Sequence, residues 1–213
     1  MGTIKIIDYK AGNAPSVMHA AARLGYGHNA DFARCAADLS GASHIILPGV
    51  GSARATMDSL DEMGLRGALE DAVLRDGVLF WGICVGMQIL FEHSEEGDAD
   101  CLGWLPGQVV KFDAAKVRVP QMGWNHVRFV KDVAGCTHLA DAMEDCFYFV
   151  NSYYAKPENE SDLWGTADYG GHFAAAVCRG NIRATQFHIE KSGPAGLELL
   201  RGFLGCKHGG GKC

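Results

Sequence analysis

A chain of 213 residues, of which 48% are hydrophobic, is long enough to bury a full core, and its length fits one domain better than two. The formal net charge of −6 leaves no basic excess, which argues against nucleic acid or an anionic membrane surface as a partner. We therefore expect the partners to be small molecules or proteins.

The first residues and the cysteines bear on the cellular compartment. The opening apolar run meets Lys5 and Asp8 at once, which is not typical of a signal peptide, and no apolar stretch approaches the ~18 residues of a membrane helix. The eight cysteines have no close-set spacing that predicts a disulfide framework. These features predict a cytoplasmic protein with reduced thiols and no membrane association.

The C-terminal segment 206–213 carries two cysteines and His208, which together could ligate a metal ion. It also contains three consecutive glycines, which at a chain terminus are more typical of disorder. We predict one domain at residues 1–205, a disordered tail at 206–213 and no metal site.

The first half of the chain alternates between strand and helix patterns. Short apolar runs predict buried strands, and apolar residues at helical spacing predict helices, one of which is interrupted by Gly64 and Gly67. The predicted order is strand 4–7, loop 8–13, helix 16–24, strand 44–47, helical segment 55–74, strand 77–83 and helix 85–91.

The second half is richer in strands. Turn residues separate five runs that are typical of strands, and only one segment is clearly helical. The runs are 107–112, 125–130, 147–154, 173–178 and 182–187, and the helix is 195–204. Together the two halves predict an α/β fold, a three-layer sandwich around a mixed, mainly parallel sheet with antiparallel strands added late.

The strongest local motif is Gly82-Ile83-Cys84-Val85-Gly86, between a predicted strand and a predicted helix. A nucleophile on such a sharp turn needs small residues two positions before and after it, because strand and helix pack closely there. The turn exposes the sulfur at a helix start, which favours the thiolate form. The motif therefore indicates a nucleophilic Cys84, although a buried, inert cysteine remains the alternative.

A nucleophilic cysteine needs a base, which is usually distant in sequence. His188 follows a predicted strand, and Glu190 lies two residues further on. A carboxylate at this spacing can hold one ring nitrogen while the other accepts a proton. Cys84, His188 and Glu190 would then form a triad, unless the histidine and glutamate form only a surface ion pair.

A glycine-rich turn at Gly49, Val50 and Gly51 follows the strand at 44–47. Such a turn can direct backbone N–H groups inward, and together with the N–H of Val85 it predicts an oxyanion hole. A plain turn is the alternative. A phosphate site is disfavoured, since neither the dinucleotide-binding pattern nor the Gly-Lys-Ser/Thr of a P-loop is present.

Taken together, these residues resemble the glutaminase subunits of imidazole glycerol phosphate synthase, which are class I triad glutamine amidotransferases. The resemblance runs through six segments in the same order: DYKAGN at 8–13, LPGVG at 47–51, GICVGMQ at 82–88, PQMGWN at 120–125, YFVNSYY at 148–154 and QFHIEKSG at 186–193. The QFHIEKSG segment and the elbow at Cys84 are typical of the triad superfamily. The PQMGWN and YFVNSYY segments are typical of the synthase's glutaminase subunit in particular.

The resemblance implies that Cys84 attacks the side-chain amide of glutamine to give a thioester that water hydrolyses to glutamate. It implies that His188 shuttles the protons, that Glu190 orients it, and that Gln88 and the backbone near Ser152 and Tyr153 hold the amino-acid end of the substrate. It implies no metal and no organic cofactor.

The resemblance also implies a protein partner. Glutaminase subunits of this kind dock on a (β/α)₈ cyclase, which receives the ammonia and makes imidazole glycerol phosphate and AICAR in histidine biosynthesis. Asn13, Trp124 and Lys191 would lie at the interface of this heterodimer. For Trp124, an ordinary core aromatic is the alternative.

Some positions depart from the family pattern: Lys10, Ala14, Pro15, Gln121, Asn151 and Ile189. None of them belongs to the triad, but several flank the segments that would face the partner. This leaves three alternatives: a glutaminase subunit that serves surface-polysaccharide sugar synthesis, a catalytically silent regulatory scaffold, and a stand-alone cysteine hydrolase such as a peptidase.

Overall fold

The computed structural model describes residues 2–9, 13–133 and 145–206. These residues form thirteen strands: β1 (Thr3–Ile7), β2 (Ala30–Ala33), β3 (Ala42–Gly49), β4 (Leu79–Cys84), β5 (His93–Ser94), β6 (Ala99–Asp100), β7 (Gly107–Lys111), β8 (Gln121–Phe129), β9 (Asp145–Asn151), β10 (Tyr153–Pro157), β11 (Leu163–Asp168), β12 (His172–Arg179) and β13 (Ile182–Thr185). They also form five α-helices: α1 (Ala14–Arg23), α2 (Ala53–Glu62), α3 (Leu65–Glu70), α4 (Val85–Gln88) and α5 (Gly193–Leu204).

The centre of the sheet is parallel. Its strands lie in the order β2-β1-β3-β4-β13, and each adjacent pair is parallel. All six residues of β4 are buried, as expected for a central parallel strand that is covered on both faces. The carboxyl ends of β3, β4 and β13 therefore meet at one edge of the sheet.

Helices cover both faces of this parallel part. The step from β1 to β2 runs toward one edge of the sheet, and the steps from β3 to β4 and from β4 to β13 run toward the other. Because such crossovers are right-handed, α1 lies on one face and α2 and α3 lie on the opposite face. The contacts agree, since α1 packs on α5 whereas α2 packs on α3 and α4. The predicted α/β class and the layered arrangement around a mixed sheet are confirmed.

The late strands are joined mainly in antiparallel pairs. β12 lies antiparallel to β13 and β10, and β10 lies antiparallel to β7. A second branch runs from β12 through β11 and β8 to β9. This branch brings the end of β9, and with it the segment 150–153, to the carboxyl end of β4.

Two predicted elements are divided in the structure. The predicted strand 147–154 is two strands, β9 and β10, which pair with different neighbours and are separated at Ser152. The predicted helical segment 55–74 breaks at Gly64, whose φ of +64° is left-handed, whereas Gly67 lies inside α3. The break is at Gly64 because only there does the chain need a conformation that favours glycine.

The predicted helix 85–91 was too long, since α4 ends at Gln88. The carbonyl groups of Ile89, Leu90 and Phe91 instead accept hydrogen bonds from the backbone of residues 102–105. This tertiary pairing replaces the helical hydrogen bonds that the local pattern favours. Strands β2, β5, β6, β10 and β11 were not predicted as separate elements.

The expectation of reduced thiols was wrong for Cys178, which is disulfide-bonded. Cys35, Cys84, Cys101 and Cys146 are free thiols. In the described ranges no helix combines the length and the apolar composition required to cross a bilayer. Lys10 and, from residue 207 on, the predicted tail lie outside the described residues.

Candidate active site

Cys84 occupies a strained turn between β4 and α4. Its φ of +55° and ψ of −109° are unusual for a residue with a side chain. A Cβ on Gly82 would overlap the carbonyl of Gly86, and a Cβ on Gly86 would overlap the carbonyl of Leu47. The two glycines therefore allow the close approach that the elbow requires, as predicted.

The structure brings the three predicted triad residues together. His188 follows β13, and Glu190 lies in the 3₁₀ turn Ile189–Lys191 that comes directly after it. His188 Nδ1 lies 2.8 Å from Glu190 Oε1, and the two side chains are 2% and 0% exposed. Cys84 and His188 line the same cavity, and the Cys84 side chain is one of the two groups that raise the pKa of the imidazole. Because Glu190 occupies Nδ1, Nε2 is the ring nitrogen left to exchange a proton with the sulfur.

These neighbours control the protonation of His188. Burial acts to lower its pKa, but the Cys84 and Glu190 side chains outweigh burial and raise the pKa to about 9. The arrangement therefore favours a protonated imidazole between two acidic groups. A histidine held in this way can accept a proton from the sulfur and return it to a leaving group.

Asn13 contacts the triad, a role that the sequence did not reveal. Its Nδ2 donates a hydrogen bond to Glu190 Oε1 and lies 3.5 Å from His188 Nδ1. The amide thus holds the carboxylate in place from the loop before α1. Its predicted place at a partner interface stays a prediction.

A cavity of about 280 Å³ opens over the sulfur. It is lined by Val50, Gly51, Cys84, Val85, Gln88, Glu96, Pro120, Val150, Asn151, Ser152, Tyr153, His188 and Lys191. Most of the predicted oxyanion, substrate and interface residues line it; Gly49, Asn13 and Trp124 do not. Glu96, Pro120, Val150 and Asn151 were not predicted as site residues, and of these only Glu96 lies outside the segments that carry the resemblance.

Glu96 supplies a carboxylate to this cavity. The side chain is half-buried, which raises the pKa of its carboxyl group, while a hydrogen bond from the Ala53 N–H, 3.2 Å away, opposes the rise. Its local sequence, Ser94-Glu95-Glu96-Gly97, reads as an ordinary polar turn. Only the folded chain reveals that it faces the cavity.

Two buried amides converge on the carbonyl of Tyr153. Gln88 Nε2 and Asn151 Nδ2 each donate to this oxygen over 3.0 Å. The side-chain oxygens of both residues are buried and have no hydrogen-bond partner within the part of the chain that the structure describes.

In the glycine-rich turn, the two glycines have different roles. Gly51 has a φ of +98°, which requires glycine. A Cβ at Gly49 would lie only 2.8 Å from both Gly86 N and Val85 Cβ, so this position must be small for reasons of space. The hydroxyl of Tyr9 lies against Gly49, and burial raises the pKa of this hydroxyl to about 12.

Trp124 is not a core aromatic. Its side chain is 58% exposed, and Met122, two residues earlier on the same face of β8, is 67% exposed. Trp124 also makes an edge contact with Tyr148 on β9, with 5.9 Å between ring centroids. Lys191 is exposed as well. Exposed large apolar side chains are compatible with a docking surface, and the interface role of Trp124 stays a prediction.

The departures from the family pattern fit the fold. Gln121 and Asn151 lie opposite each other in the β8–β9 ladder, and both are buried. Ala14 and Pro15 form the first turn of α1, where the missing N–H of proline costs little. Ile189 is fully buried in the turn between His188 and Glu190. None of these changes displaces a triad side chain.

Within the described ranges, no group of three or more His, Cys, Asp or Glu side chains is arranged to hold a metal ion. The chemistry supported by the described residues is nucleophilic attack by sulfur with proton transfer by a histidine.

The raised pKa of His188 predicts a pH-dependent stability. The pKa of an unfolded histidine is near 6.5, so the stabilisation is fully present below that pH and is lost as the pH rises through about 9. We expect the free energy of unfolding of the wild type, relative to His188→Asn, to fall by about 3 kcal/mol over this window. Urea denaturation at a series of pH values measures it.

Glu190→Gln serves as the second variant, because Glu190 is one of the two groups that raise the pKa of His188. Its stability should change less than that of the wild type across the same pH window. Parallel stability curves for the wild type and His188→Asn would contradict the assigned ion pair.

Comparison with known proteins places this site in a family. The model of the class-I glutamine amidotransferase family matches residues 5–205, and the chain belongs to that family. A solved "glutamine amidotransferase" structure superimposes with a TM-score of 0.73 at 20% identity and covers 95% of this chain and 97% of its own. The structure of PurLQS from Thermotoga maritima also superimposes with a TM-score of 0.73, at 17% identity, and the match covers 96% of this chain and 98% of that structure. These structures share the fold.

Curated relatives are more specific. "Imidazole glycerol phosphate synthase subunit HisH" of Leptospira interrogans is 41% identical over 204 residues, which are 94% of this chain and 98% of the relative. The protein of the same name from Neisseria meningitidis is also 41% identical, over 93% of this chain and 97% of the relative. The chloroplastic "Imidazole glycerol phosphate synthase hisHF" of Arabidopsis thaliana is 41% identical over 94% of this chain but only 34% of its own length. The predicted resemblance is confirmed.

Proposed function

We propose that this chain is the glutaminase subunit of an imidazole glycerol phosphate synthase. It hydrolyses glutamine to glutamate and ammonia and delivers the ammonia to a (β/α)₈ cyclase subunit of histidine biosynthesis. The observation that carries the proposal is the buried Cys84–His188–Glu190 arrangement at a cavity of about 280 Å³, in a chain of the class-I glutamine amidotransferase family.

In the proposed first half-reaction, His188 Nε2 takes the proton of Cys84, and the sulfur attacks the side-chain amide carbon of glutamine. The tetrahedral intermediate collapses when His188 returns the proton to the amide nitrogen, the C–N bond breaks and ammonia leaves. Glu190 keeps Nδ1 occupied, so that the ring presents the same nitrogen throughout. Asn13 holds Glu190 in turn.

In the second half-reaction, water attacks the thioester while His188 accepts one of its protons. The C–S bond then breaks, the sulfur takes the electron pair and regains the proton from His188, and glutamate leaves. The oxyanion of both tetrahedral intermediates would be bound by the N–H of Val85 together with the turn at Gly49, Val50 and Gly51, two residues of which line the cavity.

The rest of the cavity suits the amino-acid end of glutamine. Its α-ammonium group has three donors, and the cavity offers the Glu96 carboxylate as an acceptor. The backbone of Ser152 and Tyr153 lines the same wall and would hold the α-carboxylate. An amino acid would thus be held at one end while its side-chain amide reaches Cys84.

The proposed partner is supported by the relatives that carry the synthase name and by the exposed apolar side chains of Met122 and Trp124. Asn13, Trp124 and Lys191 remain the proposed interface residues. Because these relatives carry the synthase name, the role in histidine biosynthesis is favoured over that of a glutaminase for surface-polysaccharide synthesis. A silent scaffold is disfavoured because no triad side chain is missing.

The direct test is a glutaminase assay of the purified chain in complex with the cyclase subunit. We expect one glutamate for each cyclase product and no cleavage of peptides. Glu96→Gln should raise the KM for glutamine about tenfold with kcat nearly unchanged, because it weakens a contact made in both ground and transition states. Peptide hydrolysis without a partner, or an unchanged KM in Glu96→Gln, would contradict the corresponding part of the proposal.

A further inference from the structure

Gln186 is a fully buried amide next to the nucleophile that has no role in the steps above. It follows β13 directly and lies two residues before His188. Its side chain is 0% exposed, and its backbone N–H donates to the Ala175 carbonyl over 2.8 Å. A buried amide held this firmly must have partners for its side chain, and both of them belong to the site.

The orientation of the Gln186 amide follows from its hydrogen bonds. Gln88 Nε2 donates to Gln186 Oε1 over 3.0 Å, so the oxygen end of the amide faces Gln88. The nitrogen end then faces Cys84, and Nε2 lies 3.6 Å from the sulfur, within hydrogen-bonding range for that element. Gln88 is itself fixed by its bond to the Tyr153 carbonyl.

We propose that Gln186 donates a hydrogen bond to the Cys84 thiolate and that Gln88 positions this donor. The proposal deepens the glutaminase function and rests on it. A continuous set of hydrogen bonds then runs from Tyr153 through Gln88 and Gln186 to the nucleophile. The side chains of Gln88 and Gln186 thus connect the reacting sulfur with the part of the cavity that is proposed to bind the amino-acid end of glutamine.

The sulfur carries negative charge at two points of the reaction. It does so before it attacks the amide and again when the C–S bond of the thioester breaks. His188 balances this charge while it is protonated, but it must release its proton to the leaving ammonia. Gln186 is a neutral donor that stays in place at every step. A further neighbour of the sulfur, the Val150 carbonyl at 3.9 Å, can only accept the proton of the neutral thiol.

The titratable groups that face Cys84 are His188 and, from the end of β1, Tyr9. Glu96 and Lys191 line the same cavity, and Glu190 acts through His188. All of them are unchanged in a Gln186 variant, so an altered pH dependence of the sulfur would report the loss of the amide donor.

The experiment is alkylation of the full-length chain by iodoacetamide across a range of pH, with modification of Cys84 followed by peptide mass spectrometry. It needs no glutamine and no partner. In Gln186→Met we expect the pH–rate profile to move up by about one pH unit, which is about a tenfold slower reaction at neutral pH, since hydrogen bonds to charged groups are strong. Gln88→Met should move the profile in the same direction by less, because Gln186 is then present but free to turn.

Gln121→Met is the matched control, since Gln121 is a buried amide that lies on β8 and has an unpartnered oxygen. Its profile should match that of the wild type. Thermal melting establishes that each variant is folded; if Gln186→Met is not, the Gln88→Met profile decides. If Gln186→Met is folded and has the wild-type pH–rate profile, the proposal is overturned. If Gln186→Met is not folded, a wild-type profile in Gln88→Met overturns it. A wild type that is alkylated normally but has no glutaminase activity in complex with the cyclase subunit would instead count against the proposed function.

Discussion

Replacing Cys84 with alanine is expected to abolish glutamine-dependent synthesis by the complex, with a loss of at least about 10⁴-fold in rate. Only the glutaminase reaction uses the thiol, and the elbow offers the substrate no other nucleophile. Synthesis with added ammonium salts should continue at the wild-type rate, because the cyclase then receives ammonia directly. The two rates are measured side by side on the same purified complex.

Cys101→Ala is the matched control. Cys101 is also a buried free thiol, but burial raises its pKa to about 11, so it stays protonated at neutral pH. This variant should keep full glutamine-dependent activity. A glutamine-mimicking electrophile should label Cys84 of the wild type and leave Cys35, Cys101, Cys146 and Cys206 largely unmodified. A Cys84→Ala complex that kept its glutamine-dependent rate would refute the assigned nucleophile.

The elbow was predictable because its chemistry is local. The glycines on either side of Cys84 are dictated by the distance between one strand and the helix that follows it, and both lie within two residues of the sulfur. The pairing of His188 with Glu190 is local for the same reason, since both side chains lie in one short turn. Local steric constraints leave a pattern in the sequence that can be recognised without the fold.

The contacts that Glu96, Asn13 and Gln186 make at the site could not be predicted from the sequence. Asn13 reaches Glu190 across 177 positions of the chain, and Gln186 reaches Cys84 across 102. Contacts of this kind depend on which strands become neighbours in the sheet. A lone polar residue near a predicted turn gives no indication of its distant partner.

The predicted strand boundaries near the site were wrong for a related reason. Residues 147–154 form one apolar and aromatic run, which predicts one strand. The chain divides at Ser152 because β9 pairs with β8 whereas β10 pairs with β7 and β12. The division turns Asn151, Ser152 and Tyr153 toward the cavity. The functional segment is thus located where tertiary pairing overrides the local strand pattern.

The isolated chain is expected to hydrolyse glutamine at least about 100-fold more slowly than the chain bound to a loaded cyclase partner. Val50 and Gly51 line the cavity over the sulfur, so the peptide between them lies where the oxyanion would form. Gly51 has a φ of +98°, and because glycine populates positive and negative φ about equally, this peptide can turn between an orientation that presents its N–H and one that does not. Steady-state kinetics on the chain alone, with partner, and with partner plus acceptor ligand measure the effect.

A partner can cause this activation only by binding the active orientation of the turn more tightly than the resting one. Each ~1.4 kcal/mol of differential affinity gives about a tenfold increase while the active state is rare. Lys191 is exposed, lines the cavity and donates its backbone N–H to the His188 carbonyl over 3.1 Å, so it connects the outer surface to the triad. Lys191→Ala should therefore weaken stimulation by the partner more than it weakens the basal rate. Lys116→Ala, at an exposed lysine paired with Asp113 away from the cavity, should change neither. An isolated chain with full activity that no partner alters would refute gating and favour a stand-alone hydrolase.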